Sequence, residues 1–354
     1  MEINSISPSS YSKWDFCQMQ YFIGYGLKIR SPANKKADKG TVVHKVMECL
    51  ALLTLAKKEA GEYRIVDEDI GELHFTDEEF NRETTLTDEE VDEINKRRSN
   101  SYVYKYDCTI EYGHVRTGVD VVNAILEKAY AFTSAASEEK WNKTDRTDCG
   151  EWTWIPLDNR GGLFDPRKLN VVASEGDFTL RINDELEIRG IIDIVNEPVP
   201  GTYEIVDWKS GQRKDWGTNQ IKDFEYLRKD FQLMLYNYAI RKMYPNKFEN
   251  VLATIFFIRD GGPFTVDFDD STVDVVEKKL LDRFEEIKQC DSPMMCDPTQ
   301  NDPKCKSFCE YYKKQSPDGS TNFCRFIHDK IREVGIDEVV KLYKIEKKKD
   351  ETTA

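Results

Sequence analysis

The sequence lacks several features that would place it in other classes of protein. It contains no run of eighteen apolar residues, so we expect no membrane span. It has no G-x-x-x-x-G-K-[S/T] loop either, so we expect no nucleotide-driven motor in this chain. Neither a targeting segment nor an internal repeat stands out, and we therefore expect a cytoplasmic protein of a prokaryote or of a virus-infected cell.

Positive charge is also scarce. The 354 residues include 51 Lys and Arg against 65 Asp and Glu, a net charge of −14. Much of this excess lies in residues 61–100, where fourteen acids face five bases, whereas residues 304–333 hold seven bases and four acids. Because nucleic-acid binding depends on where positive charge lies, the total does not exclude it. The acidic segment is by default a solvated insertion; a partner-binding arm or a competitor for a basic channel are the alternatives.

Two acids and a lysine follow apolar runs near the middle of the sequence. Side chains two residues apart on a strand share a face, so Asp207 and Lys209 are predicted to project together. The turn-forming segment 196–202 predicts a hairpin that places Asp193 beside Asp207. Paired carboxylates suit Mg²⁺ or Mn²⁺, and a neighbouring lysine can position an attacking water at a phosphodiester. Alone, however, an Asp-x-Lys triplet is common by chance.

Two further segments accompany these acids. Gly40 opens a helical stretch in which His44 and Glu48 share one face, and an imidazole can join carboxylates on a metal. Taken alone, His44 would fit better a histidine that is hydrogen-bonded inside a helix interface. Gln232 and Tyr236 lie one turn apart on a later predicted helix, where they could bind a phosphate or hold the lysine. An ordinary amphipathic helix is the alternative there.

In this order, the four motifs resemble the RecB-like branch of the PD-(D/E)XK nuclease superfamily. The resemblance covers about the first fifty residues and residues 176–328, and it is carried by His44, Asp193, Asp207, Lys209, Gln232 and Tyr236. It implies that the histidine and both acids hold Mg²⁺ or Mn²⁺ and that the lysine assists catalysis. The Gln/Tyr pair would support the site and the DNA backbone. The backbone carbonyl of Trp208 can add a further metal ligand.

Cysteines form a second pattern, because five of the nine fall between residues 290 and 324. Cys305, Cys309 and Cys324 could present thiolates to one soft metal, for which a fourth ligand is needed. The absence of a signal peptide, the odd cysteine number and the chain length make a disulfide framework the least favoured reading. That metal site could be an iron–sulfur cluster or a zinc ion, and a set of free thiols is the further alternative.

The resemblance supplies the missing ligand by analogy. RecB-like nucleases of the CRISPR-adaptation exonuclease and AddB types carry one N-terminal and three C-terminal cysteines that bind a 4Fe–4S cluster. Here that implies Cys17 together with Cys305, Cys309 and Cys324. The spacings C-x3-C and C-x14-C depart from the usual pattern, which leaves Cys296 as a possible substitute.

The expected fold is an α/β, restriction-endonuclease-like mixed sheet flanked by helices, with a helical insertion. Helices are predicted at 41–59, 219–243 and 271–289, and strands at 176–183, 187–195, 203–209, 251–259 and 264–268. The expected organisation is an N-terminal part of the nuclease domain at 1–59, an acidic and helical insertion at 60–170, the nuclease core at 171–290, a cysteine cluster joining both ends at 291–335, and a charged tail at 336–354.

These patterns predict a metal-dependent DNA nuclease, an exonuclease on single-stranded or end-processed DNA that serves recombination, repair or phage- or CRISPR-related processing. The alternative is a non-catalytic or partner-dependent DNA-binding subunit of a helicase–nuclease or integration complex. In either case any unwinding would need a helicase partner.

Overall fold

A computed structural model describes most of the chain and shows ten strands. The described residues are 1, 3–29, 31, 34–82, 89, 104–105, 108–109, 120–215, 220–260 and 262–343. In chain order the strands are β1 (Ser5–Ile6), β2 (Tyr63–Asp67), β3 (Gly71–Phe75), β4 (Tyr104–Lys105), β5 (Cys108–Thr109), β6 (Val171–Arg181), β7 (Glu187–Val199), β8 (Thr202–Lys209), β9 (Asn250–Phe257) and β10 (Phe264–Asp267).

Helices are distributed along the whole described chain. They are α1 (Pro8–Phe16), α2 (Gln18–Tyr21), a π-helix (Phe22–Gly26), α3 (Lys35–Ala60), α4 (Asp77–Phe80), α5 (Val121–Ala136), α6 (Lys143–Asp158), a 3₁₀ turn (Asn159–Gly161), α7 (Phe224–Leu227), α8 (Phe231–Met243), α9 (Ser271–Gln289), α10 (Pro303–Phe308), α11 (Glu310–Lys313) and α12 (Phe323–Val334). In the described part of the chain, no helix has the length and apolar character needed to cross a membrane.

Six strands form one mixed sheet, in which β7, β8, β9 and β10 follow one another. Strand β6 pairs with one edge of β7, and both β1 and β8 pair with the other edge. The hairpins β6–β7, β7–β8 and β9–β10 are antiparallel, whereas β1–β7 and β8–β9 are parallel. Helices cover both faces, so the predicted mixed sheet flanked by helices is confirmed.

One edge of β7 is shared by two different strands. Its first residues pair with β1, through Ser5↔Glu187 and Ile6↔Ile188. Its later residues pair with β8, beginning at Ile194↔Val206. Among the described residues, no strand pairs with this edge between 188 and 194. This break in the ladder leaves room for side chains from the neighbouring helices.

Two apolar cores lie on opposite faces of the sheet. One joins α3, α5 and α6 to the strand residues Ile194, Val206, Trp208 and Phe256. The other joins α8 and α9 to residues that include Ile192, Ile205 and Val251. The helices of the insertion therefore pack directly on the α3 side of the central sheet. The predicted domain boundaries stay a prediction.

Two predicted helices differ in their bounds from the observed ones. The predicted helix 219–243 is divided into α7 and α8, because the Asp230 carboxylate accepts hydrogen bonds from the Gln232 and Leu233 backbone N–H groups and so caps a new helix. The predicted helix 41–59 begins earlier, since Asn34 caps it. It ends at Gly61, which has a φ of +84° that favours glycine.

Candidate active site

The break in the β7–β8 ladder brings the two predicted acids together. Beyond the pair Ile194↔Val206, the next residues along the two strands are Asp193 and Asp207. Here the Trp208 backbone N–H donates to Asp193 Oδ2 at 2.9 Å instead of continuing the strand pairing. Asp193 is therefore held by the backbone that separates Asp207 from Lys209.

Asp207 and Lys209 project together on the α8 side of the sheet. Lys209 Nζ lies 2.9 Å from Asp207 Oδ1 and 2.8 Å from Oδ2, and only the contact to Oδ1 has hydrogen-bond geometry. Asp207 is 1% exposed, whereas the Lys209 side chain is 34% exposed. The lysine therefore links a buried carboxylate to solvent, while Trp208 turns to the opposite core.

Helix α8 adds an amide to the same carboxylate and a phenol next to that amide. Gln232 Nε2 donates to Asp207 Oδ1 at 2.9 Å and lies 2.9 Å from the Tyr236 hydroxyl. The spacing of four residues places both side chains on one face of α8. Asp230 caps α8, so Gln232 lies in the first turn of this helix. The start of the helix therefore determines where the Gln232 side chain meets Asp207.

Helix α3 brings His44 to the other acid. His44 Nδ1 lies 3.5 Å from Asp193 Oδ2. A Cβ added to Gly40 would come within 2.4 Å of Ser210 Oγ, so the absence of a side chain lets α3 approach the end of β8. Glu48 takes no part in this contact, because its carboxylate pairs with Lys45 Nζ at 2.8 Å.

The two carboxyl groups have opposite pKa shifts. Burial raises the pKa of Asp207 to about 6, although Lys209 opposes this shift. For Asp193, burial acts in the same direction but is outweighed by His44, Lys209 and the Trp208 N–H, which together lower its pKa. Burial opposes protonation of His44, but the adjacent Asp193 raises the pKa of its imidazole. The pair thus combines Asp207, whose ionisation is disfavoured, with Asp193, whose ionisation is favoured.

The donor types at this centre suit a divalent cation, but their arrangement is not that of a closed metal shell. Asp207 Oδ2 is buried without a hydrogen bond, and two carboxylates and an imidazole lie together. Across the described residues, however, no three His, Cys, Asp or Glu side chains are arranged so that they could hold a metal ion. The Lys209 ammonium balances the charge of Asp207 instead.

The cysteines of the two ends of the chain meet in a separate apolar core. Cys17, Cys309 and Cys324 are buried there, with Cys296 packed against them, and Cys296 Sγ lies 3.4 Å from Cys305 Sγ. These cysteines are free, and burial raises the pKa of Cys309 to about 11. The structure therefore gathers five cysteines, but the predicted metal cluster is not shown.

Three contacts at the acidic centre were not predicted from the sequence. They are the Trp208 N–H bond to Asp193, the approach of Ser210 to Gly40, and a hydrogen bond from Ser174 Oγ to Asp193 O at 3.2 Å. The spacing of the motifs carries no signal for Ser174, which lies on β6. For Ser210, its position directly after Lys209 is the one available hint.

Comparisons with known proteins identify a family to which the chain is similar. A model of the PD-(D/E)XK nuclease superfamily matches residues 5–313. Among solved structures that match is a protein from Eubacterium rectale, provisionally named an exonuclease, with 13% sequence identity and a TM-score of 0.33. That match covers 50% of this chain and 66% of the other, and at this TM-score it carries no argument. None of the curated proteins compared with the sequence matches it significantly.

Proposed function

The chain belongs to the PD-(D/E)XK nuclease superfamily, and from this premise we propose that it is a metal-dependent DNA nuclease. The observation that supports this most is the contact of Lys209 and Gln232 with the buried Asp207 carboxylate, beside Asp193 at a break in the sheet. We further propose that it acts as an exonuclease on single-stranded or end-processed DNA.

In this proposal the metal is Mg²⁺ or Mn²⁺. Asp193, Asp207 and His44 would hold it, together with the backbone carbonyl of Trp208. Binding requires the Lys209 ammonium to withdraw from Asp207, since it lies within 3 Å of both carboxylate oxygens in this arrangement. When bound, such a cation lowers the pKa of a coordinated water and neutralises charge on the phosphate.

The protein's own groups then orient the reactants. Lys209, one-third exposed and next to Asp207, would orient the attacking water and offset the negative charge that develops on the phosphate. Gln232 would fix the Asp207 carboxylate through Oδ1, with Tyr236 holding the amide in turn. His44 would keep Asp193 ionised. Each side chain is anchored on a strand or helix, which favours a precise geometry.

A cleavage time course tests the proposal. End-labelled single- and double-stranded DNA would be incubated with the protein in Mg²⁺, Mn²⁺ or EDTA. We expect degradation that depends on the metal, with a product ladder that gives the polarity. If no DNA is cleaved in either metal, the chain is instead a partner-dependent or non-catalytic DNA-binding subunit.

We also propose that Cys17, Cys305, Cys309 and Cys324 bind a 4Fe–4S cluster. Support comes from the burial of these four thiols at one place, although they are distant in sequence. The 3.4 Å contact between Cys296 and Cys305 makes Cys296 the competing ligand, and zinc is the competing metal. Anaerobically purified protein is expected to be brown with about four iron atoms per chain, whereas colourless protein with stoichiometric zinc would overturn the assignment.

A further inference from the structure

A cavity of about 440 Å³ lies between the first turns of α3, the segment that leads into α6, helix α6 itself and the turn that follows β9. Four of its lining residues are basic, and Trp152 forms part of its wall. None of the motifs in the sequence points to it. It lies close to the end of β8, because Lys39 precedes Gly40, which approaches Ser210, and Arg259 follows Ile258, whose N–H donates to Lys209 O.

Arg259 is the basic residue of this cavity whose contacts most favour the binding of an anion. Its guanidinium carbon lies 4.6 Å from the centroid of the Trp152 ring, on which it stacks. Its Nε is buried without a hydrogen bond. Within the described part of the chain, its guanidinium forms no ion pair. Burial lowers the pKa of Arg259, and the nearby Asp260 and Asp148 oppose this shift.

The acids around Arg259 are already bound to other groups. Asp148 pairs with Lys39 Nζ at 2.6 Å, and Glu139 accepts from the Lys35 backbone N–H at 2.8 Å. Asp260 accepts from the Arg213 backbone N–H at 2.8 Å. Because these carboxylates are engaged, Arg259 keeps its positive charge available for an anion from outside.

The position of Arg259 follows from the sheet. Lys209 pairs with Phe257 in the parallel β8–β9 ladder, and the Ile258 N–H donates to Lys209 O at 3.0 Å. Arg259 is the next residue and lies in the turn that follows β9, where the Asp260 N–H donates to Phe257 O at 3.2 Å. Its backbone is therefore close to the end of β8, which carries Lys209.

We propose that Arg259 binds a backbone phosphate of the DNA strand near the cleaved bond. Trp152 holds the guanidinium in place from behind. Arg259 is then a positioning residue that fixes the register of the strand and leaves the chemical step to the acidic centre. This inference rests on the proposed nuclease function and adds a defined subsite to it.

The test measures binding without cleavage. Fluorescence anisotropy with a labelled single-stranded 12-mer in EDTA would give Kd at several salt concentrations for wild type, Arg259→Ala and Arg259→Lys. Loss of one phosphate contact is expected to raise Kd about tenfold at low salt and to flatten the slope of log K against log[salt] by about 0.7. Arg259→Lys keeps the charge and should keep the slope.

Arg181→Ala is the matched control, since Arg181 is an exposed arginine that pairs with Asp184 on another part of the sheet. It should leave the slope unchanged. A structural role of the Arg259–Trp152 stack would instead lower the Tm of Arg259→Ala and leave the salt slope intact, and that result would overturn the proposal. So would a wild-type protein that does not bind the 12-mer.

A second readout separates this inference from the proposed function. On the 12-mer in Mg²⁺, Arg259→Ala should raise KM and leave kcat unchanged, whereas on thymidine 5′-monophosphate p-nitrophenyl ester, which has a single phosphodiester, both constants should match wild type. If the wild type binds DNA with the expected slope but cleaves nothing, the proposed nuclease function fails while the phosphate site stands.

Discussion

The acidic centre and the cysteine core differ in how their side chains are held. At the acidic centre, Asp193 is bound by a backbone N–H and Asp207 by Lys209 and Gln232, all at 2.8–2.9 Å. In the cysteine core, the thiols are buried together, and Cys296 Sγ lies 3.4 Å from Cys305 Sγ. Hydrogen bonds within the protein orient the carboxylates of the acidic centre. In the cysteine core, the thiols lie close together without a defined coordination geometry.

This difference indicates what holds the side chains in place at each site. A strand pair and a helix fix the acidic side chains before any ligand binds, because each carboxylate has protein partners. Thiols are weak hydrogen-bond groups, so a cluster of them gains its order from a metal. We therefore expect the two regions to respond differently to mutation and to removal of metal.

The largest effect is expected at Lys209. Lys209→Ala should lower kcat on labelled single-stranded DNA about 10²–10³-fold, because the side chain that orients water and offsets phosphate charge is lost. The variant should still fold, since the Lys209 side chain is one-third exposed and Gln232 continues to donate to Asp207. Lys288→Ala, which removes a surface pair with Glu185, is the control and should retain full activity. Equal kcat in both variants would remove Lys209 from the mechanism.

The next effect concerns the cysteine core. Cys309→Ser should abolish iron binding and lower the free energy of unfolding by more than about 2 kcal/mol, because a ligand that binds only the folded state stabilises it. Iron content and thermal unfolding would measure this. Cys149 is buried in the other core and serves as the control; Cys149→Ser should keep its iron. Full iron content in Cys309→Ser would exclude Cys309 as a ligand.

A smaller effect is expected from the groups that orient Asp207. Gln232→Leu removes the amide that donates to Asp207 Oδ1 and should lower kcat about tenfold, in line with a hydrogen bond to a charged group. Tyr236→Phe should cost less, because its hydroxyl contacts the Gln232 amide, which in turn donates to the acid. Steady-state kinetics would rank the two. A larger loss of kcat for Tyr236→Phe than for Gln232→Leu would contradict the prediction that Gln232 contributes more to orienting Asp207.

The smallest effect is a pH-dependent difference in stability without metal. Burial raises the pKa of Asp207 to about 6, above its unfolded value of 3.8, so its ionisation opposes folding as the pH rises through this range. Asp207→Asn removes the ionisation. In EDTA, the Tm of the variant relative to wild type should therefore increase from pH 4 to pH 7. A constant difference would show that Asp207 titrates normally.

The sequence predicted the strands of the catalytic hairpin well, because alternating apolar runs and a turn-rich segment have strong local signals. It placed β7 at 187–195 and β8 at 203–209, close to the observed Glu187–Val199 and Thr202–Lys209. The break between α7 and α8 was missed, since it depends on the Asp230 cap inside a helical pattern. Strand β1 was missed because its two residues gain their structure only from pairing with β7.

Within the candidate site, groups that are close in sequence can be placed from local periodicity, whereas some contacts made by tertiary packing have no local signal. The Asp207–Lys209 and Gln232–Tyr236 pairs follow from strand and helix periodicity. Arg259 and Trp152, by contrast, are more than one hundred residues apart, and no periodicity relates them. Their contact depends on how α6 packs against the sheet, which local patterns do not encode.

Single-turnover cleavage of end-labelled single-stranded DNA in Mg²⁺ by wild type and Asp207→Asn tests the central claim most directly. The substitution keeps the shape of the side chain and removes the carboxylate that Lys209 and Gln232 contact. We predict a product ladder for the wild type and intact DNA for the variant, with equal Kd for the DNA. Equal cleavage by the two proteins would contradict the account and place the active site elsewhere.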